Sequence, residues 1–158
     1  MGYHLLLPDL RGHGQSEGNY IGMGWHDRLD ILKWLELLIK EHPEAQVALY
    51  GVSMGATTML LCSGEELPTN VRAVVADCGY STAWREFTSQ GKKVTQLPAV
   101  PVLCAMDLVT QLRAGYSIRE VNAVKAVARS KTPTLFIHGD ADKFVPFEMQ
   151  DELYRAAA

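Results

Sequence analysis

The most regular stretch of the chain is residues 25–41, where Leu29, Leu32, Leu35, Leu38 and Ile39 recur at helical spacing. Asp27, Arg28, Asp30, Lys33, Glu36 and Lys40 fill most positions between them, so the segment predicts an amphipathic helix that Pro43 ends. Elsewhere the apolar runs are shorter. Residues 3–7, 46–50, 71–76 and 134–137 predict four strands, and the third, VRAVVA, has the largely apolar character of a strand covered on both faces. A second helix is expected over residues 56–63, directly after the second strand. Strands separated by helices of ordinary length predict an α/β fold with a mostly parallel sheet and right-handed crossovers.

Two intervals depart from this alternation. The turn DLRGHGQSEG holds three glycines, which disfavour a helix after the first strand. The interval over residues 79–131 exceeds what one crossover helix requires. Its segment LPAVPVLCAMDLVTQL is apolar on more than one side and is interrupted by Pro98 and Pro101. That pattern predicts short helices lying over the mouth of a site, a cap or lid spanning residues 80–131 within a single domain that takes up the whole chain.

Composition narrows the partners. With 47% hydrophobic and 21% charged residues the chain is a globular domain rather than a disordered tail. A net charge of −3 without a Lys/Arg cluster argues against nucleic acid and against an anionic membrane surface. Cys62, Cys78 and Cys104 show neither zinc-like spacing nor a C-x-x-C pair, so reduced thiols and no metal are expected. No secretory signal is legible in the first residues and no apolar run reaches the roughly 18 residues of a membrane span, so a cytoplasmic location is the expectation.

The candidate chemistry begins at Gly51-Val52-Ser53-Met54-Gly55, with a strand-forming run before it and a helix-forming run after. A serine hydroxyl attacks carbonyls poorly unless a sharp strand-to-helix turn holds it exposed, beside a base and beside donors for the developing oxyanion. Small residues two before and two after Ser53 would permit such a turn. A carboxylate follows the fourth strand: Asp142, in IHGDADKFVP, on a loop at the carboxyl edge of the sheet, where open α/β sheets bind ligands. Asp140 and Asp77, also at strand ends, are rival acids.

Taken together, PDLRGHGQSEG, GVSMGA and HGDADKFVP resemble the α/β-hydrolase family, and more closely its serine hydrolases near the prolyl-oligopeptidase-like branch. The resemblance implies that Ser53 is the nucleophile, that the Met54 amide donates to the oxyanion, and that Asp142 orients the base. The family's acid is the aspartate just before the Val-Pro pair, which favours Asp142 over Asp140 and leaves Asp77 as a loop carboxylate or substrate contact. The implied substrates are carboxylic esters or related small acyl compounds, cleaved through an acyl-serine without metal or organic cofactor. A serine peptidase or a thioesterase shares these motifs, and a non-catalytic hydrolase-like binding module is the competing class. Dehalogenases and epoxide hydrolases of this fold carry aspartate at the elbow, so Ser53 argues against both.

The same resemblance implies an incomplete domain. The family's catalytic histidine follows one further strand beyond the acid, whereas Ala158 lies 16 residues past Asp142 (158 − 142). None of His4, His13, His26, His42 and His138 occupies that position; His13 reads as a loop histidine and His138 as a structural neighbour of the acid. Residues 3–7 align with the family's fourth strand, so the first three strands and the second oxyanion donor are expected elsewhere in a longer protein. The chain alone is expected to be inactive, and its unpaired strand edges offer a route to self-association.

Overall fold

The computed structural model describes residues 2–94 and 98–157. Strands β1 (Val47–Val52), β2 (Val71–Asp77) and β3 (Thr134–Ile137) form a parallel sheet in that order. Helix α1 (Asp27–Glu41) precedes β1, and α2 (Met54–Ser63) carries the chain from β1 to β2. Between β2 and β3 lie α3 (Ala83–Val94), α4 (Ala99–Ala114), a 3₁₀ turn (Ile118–Glu120) and α5 (Ala123–Val127); α6 (Glu148–Ala156) follows β3. Among the described residues no helix is long and apolar enough to cross a membrane.

Each helix forms for a legible reason. In α1 the apolar positions put Ile31 and Leu35 into the core, while Leu29, Trp34 and Leu37 remain exposed. Residues 56–63 of α2 are all buried, as expected of a helix that is apolar all round. The main core joins Ile31 and Leu35 to Leu49 of β1, Met59 and Leu60 of α2, Val74 of β2, Val127 of α5 and Leu153 of α6. These helices therefore cover one face of the sheet. Tyr50, Val52, Leu135 and Ile137 point the other way and are exposed. The expectation of a sheet covered on both faces is thus not met: apolar side chains give a face the capacity to be buried, but no described element returns over this one.

Residues 3–7 also differ from expectation, because they join no ladder and Tyr3, Leu5, Leu6 and Leu7 are exposed. A short apolar run becomes a strand only where a neighbour completes its hydrogen bonds. The outer edge of β1 is unpaired as a result. The turn that follows is well anchored. Arg11 donates to both carboxylate oxygens of Asp30 on α1, at 2.9 and 2.8 Å, and its guanidinium reaches the Tyr20 hydroxyl at 2.9 Å. A planar fork on a carboxylate fixes orientation as well as distance.

The long interval is helical, but Pro101 does not interrupt it. Pro98 caps α4 and Pro101 falls in its first turn, where the missing N–H has no intrahelical partner to lose. The result is one sixteen-residue helix rather than several short ones; Leu97 of the predicted segment lies outside the described residues. Asp107 moors α4, accepting from the Ser117 hydroxyl at 2.8 Å and the Ile118 amide at 2.7 Å. Arg119 stacks on the Trp84 ring of α3, its guanidinium 3.6 Å from the ring centroid. Val100, Leu108, Val109 and Leu112 of α4 face outward.

Candidate active site

Parallel register decides what meets at the carboxyl rim. Val52 pairs with Asp77 and Asp77 with Ile137, so the three strands end level. The next residues, Ser53, Cys78 and His138, leave the sheet side by side, with Ser53 and His138 roughly 10 Å apart at two strand spacings. Backbone hydrogen bonds extend the ladder one step: the Ser53 amide donates to the Asp77 carbonyl and the Cys78 amide to the Ile137 carbonyl, each at 2.8 Å.

Ser53 has φ 52° and ψ −116°, a conformation that a residue with a Cβ adopts only at a cost of about 1–3 kcal/mol. It is half-buried, not sealed under packing atoms. What forces the turn is the close approach of β1 and α2. A Cβ on Gly51 would stand 2.3 Å from the carbonyl carbon and oxygen of Gly55, whereas a Cβ on Gly55 would meet nothing within 4 Å. Only the first glycine of the pentad is therefore sterically required, and the expectation that both flanks must be small holds for one side. Met54 is the first residue of α2, so its amide is among those the helix cannot pair internally.

Asp142 lies in the loop after β3, whose turn is closed by its own amide donating to the Gly139 carbonyl at 3.1 Å. One carboxylate oxygen, Oδ1, accepts from the Phe144 amide at 2.7 Å and the Val145 amide at 3.1 Å. The other, Oδ2, stands 3.6 Å from Nε2 of His138, a side chain only 1% exposed. Asp140 is exposed, without the partners that hold Asp142. Asp77 ends β2; its backbone carbonyl accepts from the Ser53 amide, and its carboxylate acts on the neighbouring Cys78 thiol.

No motif singles out Cys78, although its place after VRAVVAD marks it as a strand-end residue. It has φ 47° and is half-buried between the serine and the acid loop. Burial raises the thiol's pKa, the nearby Ser53 amide opposes that shift, and the Asp77 and Asp142 carboxylates add to it. The Ser53 turn and the Asp142 carboxylate thus act on the same thiol. Glu86 of α3 is buried, which raises its pKa; the Gln90 amide and the Lys93 cation offset this in part, and the Asp142 charge adds to it. Among the histidines, His13 points Nδ1 at the Arg11 carbonyl at 3.1 Å, as a loop histidine would. His26 sits against Tyr20 and Tyr116, where burial lowers its pKa.

A profile of the α/β hydrolase fold matches residues 1–99. Over 155 residues the chain is 31% identical to the uncharacterized protein YqkD of Bacillus subtilis, covering 98% of this chain and 51% of that protein. It is 27% identical to the lysophosphatidylserine lipase ABHD12 of Xenopus tropicalis, covering 100% of this chain and 40% of the lipase. The structure of the Pyrococcus furiosus esterase Pf2001 superposes with a TM-score of 0.70 at 25% identity, over 94% of this chain and 55% of the esterase. The chain spans about half the length of these relatives. With a parallel sheet whose first strand turns through Ser53 into a buried helix, and a profile match across more than half of its sequence, this chain belongs to the α/β-hydrolase family.

Proposed function

We propose that the full-length protein is a serine hydrolase of carboxylic esters or related acyl compounds, and that this chain supplies its nucleophile and its acid. Ser53 Oγ attacks the carbonyl carbon, and its proton passes to a histidine contributed by the remainder of the protein. The Met54 amide donates to the oxyanion, the Asp142 carboxylate holds the imidazolium, and the same histidine activates the water that cleaves the acyl-serine. The reading is carried by one observation: Ser53 is held at φ 52° on a turn level with the strand end from which the Asp142 loop departs. A strained residue at a strand-to-helix turn is what a projecting nucleophile requires.

Esterase and lipase relatives support an ester substrate. The test is steady-state hydrolysis of a short p-nitrophenyl ester by the full-length protein. Ser53→Ala should abolish turnover, and Asp142→Asn should lower kcat by about 10³–10⁴-fold. Full activity in Ser53→Ala would refute the proposal.

A further inference from the structure

His138 has been described so far as a neighbour of the acid, yet its contacts are specific. Its ring is almost fully enclosed, 1% exposed, and packs edge-on against Phe147 with centroids 5.7 Å apart. Nε2 lies 2.9 Å from the carbonyl oxygen of Val145. A carbonyl can only accept, so Nε2 carries the proton and donates. The same N–H faces Oδ2 of Asp142 at 3.6 Å. The donor is therefore bonded to the loop's backbone, with the acid's second oxygen just beyond hydrogen-bond reach beside it.

The division of labour within the carboxylate gives this meaning. Oδ1 is fully engaged by the Phe144 and Val145 amides. Oδ2 is the oxygen left to meet a base, and its direction is set by rotation of the carboxyl plane about the Oδ1 anchor. From the other side α3 grips the loop, with Gln90 donating to the Phe144 carbonyl and Lys93 to the Lys143 carbonyl. Those two hold backbone and leave the carboxylate untouched. Among the described residues His138 is the one whose side-chain donor faces Oδ2. Its Nδ1 is buried without a hydrogen-bond partner among them, so packing and the Nε2 contacts fix the ring.

We infer that His138 is a positioning residue: its Nε2–H, bonded to the Val145 carbonyl, fixes the loop whose Phe144 and Val145 amides hold Asp142 Oδ1, and so aims the acid at the catalytic base. The inference rests on the serine-hydrolase reading above. A displacement of about 1 Å at a catalytic group costs on the order of 100-fold in rate.

The test uses the full-length protein with three substitutions. His138→Leu removes the donor. His138→Gln keeps an N–H at the reach of Nε2, and His138→Asn keeps one that falls short of it. On a p-nitrophenyl ester we expect His138→Leu and His138→Asn to lose kcat by about 10- to 100-fold with KM within twofold of wild type. We expect His138→Gln to recover to within a few fold. Should His138→Leu fail to fold, the Gln and Asn pair carries the comparison. Equal losses in Gln and Asn, wild-type kcat in all three, or a KM that rises in step with falling Tm would overturn the inference. Asp142→Asn and Ser53→Ala are run alongside. If they are silent while every His138 variant is active, positioning fails and the hydrolase reading stands; if they remain active, the hydrolase reading fails and takes this inference with it.

Discussion

The pentad around Ser53 is symmetric in sequence but not in space, and alanine at its two glycines separates the two halves. A Cβ at Gly51 would lie 2.3 Å from the Gly55 carbonyl carbon and oxygen and 2.6 Å from the Ala56 nitrogen. Ordinary carbon contacts sit near 3.5–4.0 Å, so α2 would have to retreat by about 1 Å. It has little room to do so. Residues 56–63 of α2 are buried throughout, and beyond its far end Gly64 already brings the chain against Ala126 of α5, where a Cβ would stand 2.7 Å from the Ala126 Cα. Overpacking of this kind costs about 1–3 kcal/mol, and the lower unfolded-state entropy of alanine returns about 0.5–1 kcal/mol. The net loss is about 1–2 kcal/mol, or roughly 2–8 °C in Tm for a domain of this size. Gly55→Ala enters open space within a helix and should gain about 0.5–1 kcal/mol, roughly 1–4 °C. Thermal melts of the two variants by far-UV circular dichroism decide the matter. Equal shifts, or a Gly51→Ala variant that melts with wild type, would refute the packing argument.

Other consequences follow from single groups. Ser53→Gly should relieve the strain at φ 52° and raise stability by about 1 kcal/mol, whereas Ser53→Ala keeps the Cβ and should leave Tm unchanged, as melts would show. Glu86 is buried and its carboxyl pKa is raised, so its contribution to stability is present below the ordinary glutamate range and is lost as pH climbs through the raised value. Glu86→Gln should therefore match wild type below the ordinary glutamate range and gain over it as pH rises through the raised value; a difference that stays constant with pH would contradict this. The Tyr80 hydroxyl donates to the Met23 carbonyl and the Tyr116 hydroxyl to the Ile21 carbonyl, each at 3.0 Å. Tyr80→Phe and Tyr116→Phe should each cost about 1–2 kcal/mol in chemical denaturation by leaving a carbonyl unpaired; an unchanged midpoint would show the loop is held otherwise.

Much of this molecule was legible along the chain because its signals are local. The apolar period of residues 25–41 is the stripe of α1, the runs before Ser53 and Asp142 are β1 and β3, and VRAVVA is β2. What the pattern could not carry depends on distant partners. Residues 3–7 are as apolar as β3, yet a ladder needs a neighbour and none of the described strands takes them. Pro101 looks like a helix breaker until the position of α4's first turn is known. At the site, Ser53 and Asp142 were marked by motif and strand end. His138 was legible only as a structural neighbour of the acid, and Cys78 and Glu86 had no assigned role, because what these residues touch depends on register and burial: Val52, Asp77 and Ile137 must align before the residues after them become neighbours.

The central claim is that Ser53 is the nucleophile, and covalent capture tests it most directly. The full-length protein is treated with a fluorophosphonate, digested, and the peptides are examined by mass spectrometry. We expect the phosphonate on Ser53 and its absence in Ser53→Ala. An adduct on another residue, or equal labelling of Ser53→Ala, would contradict the account.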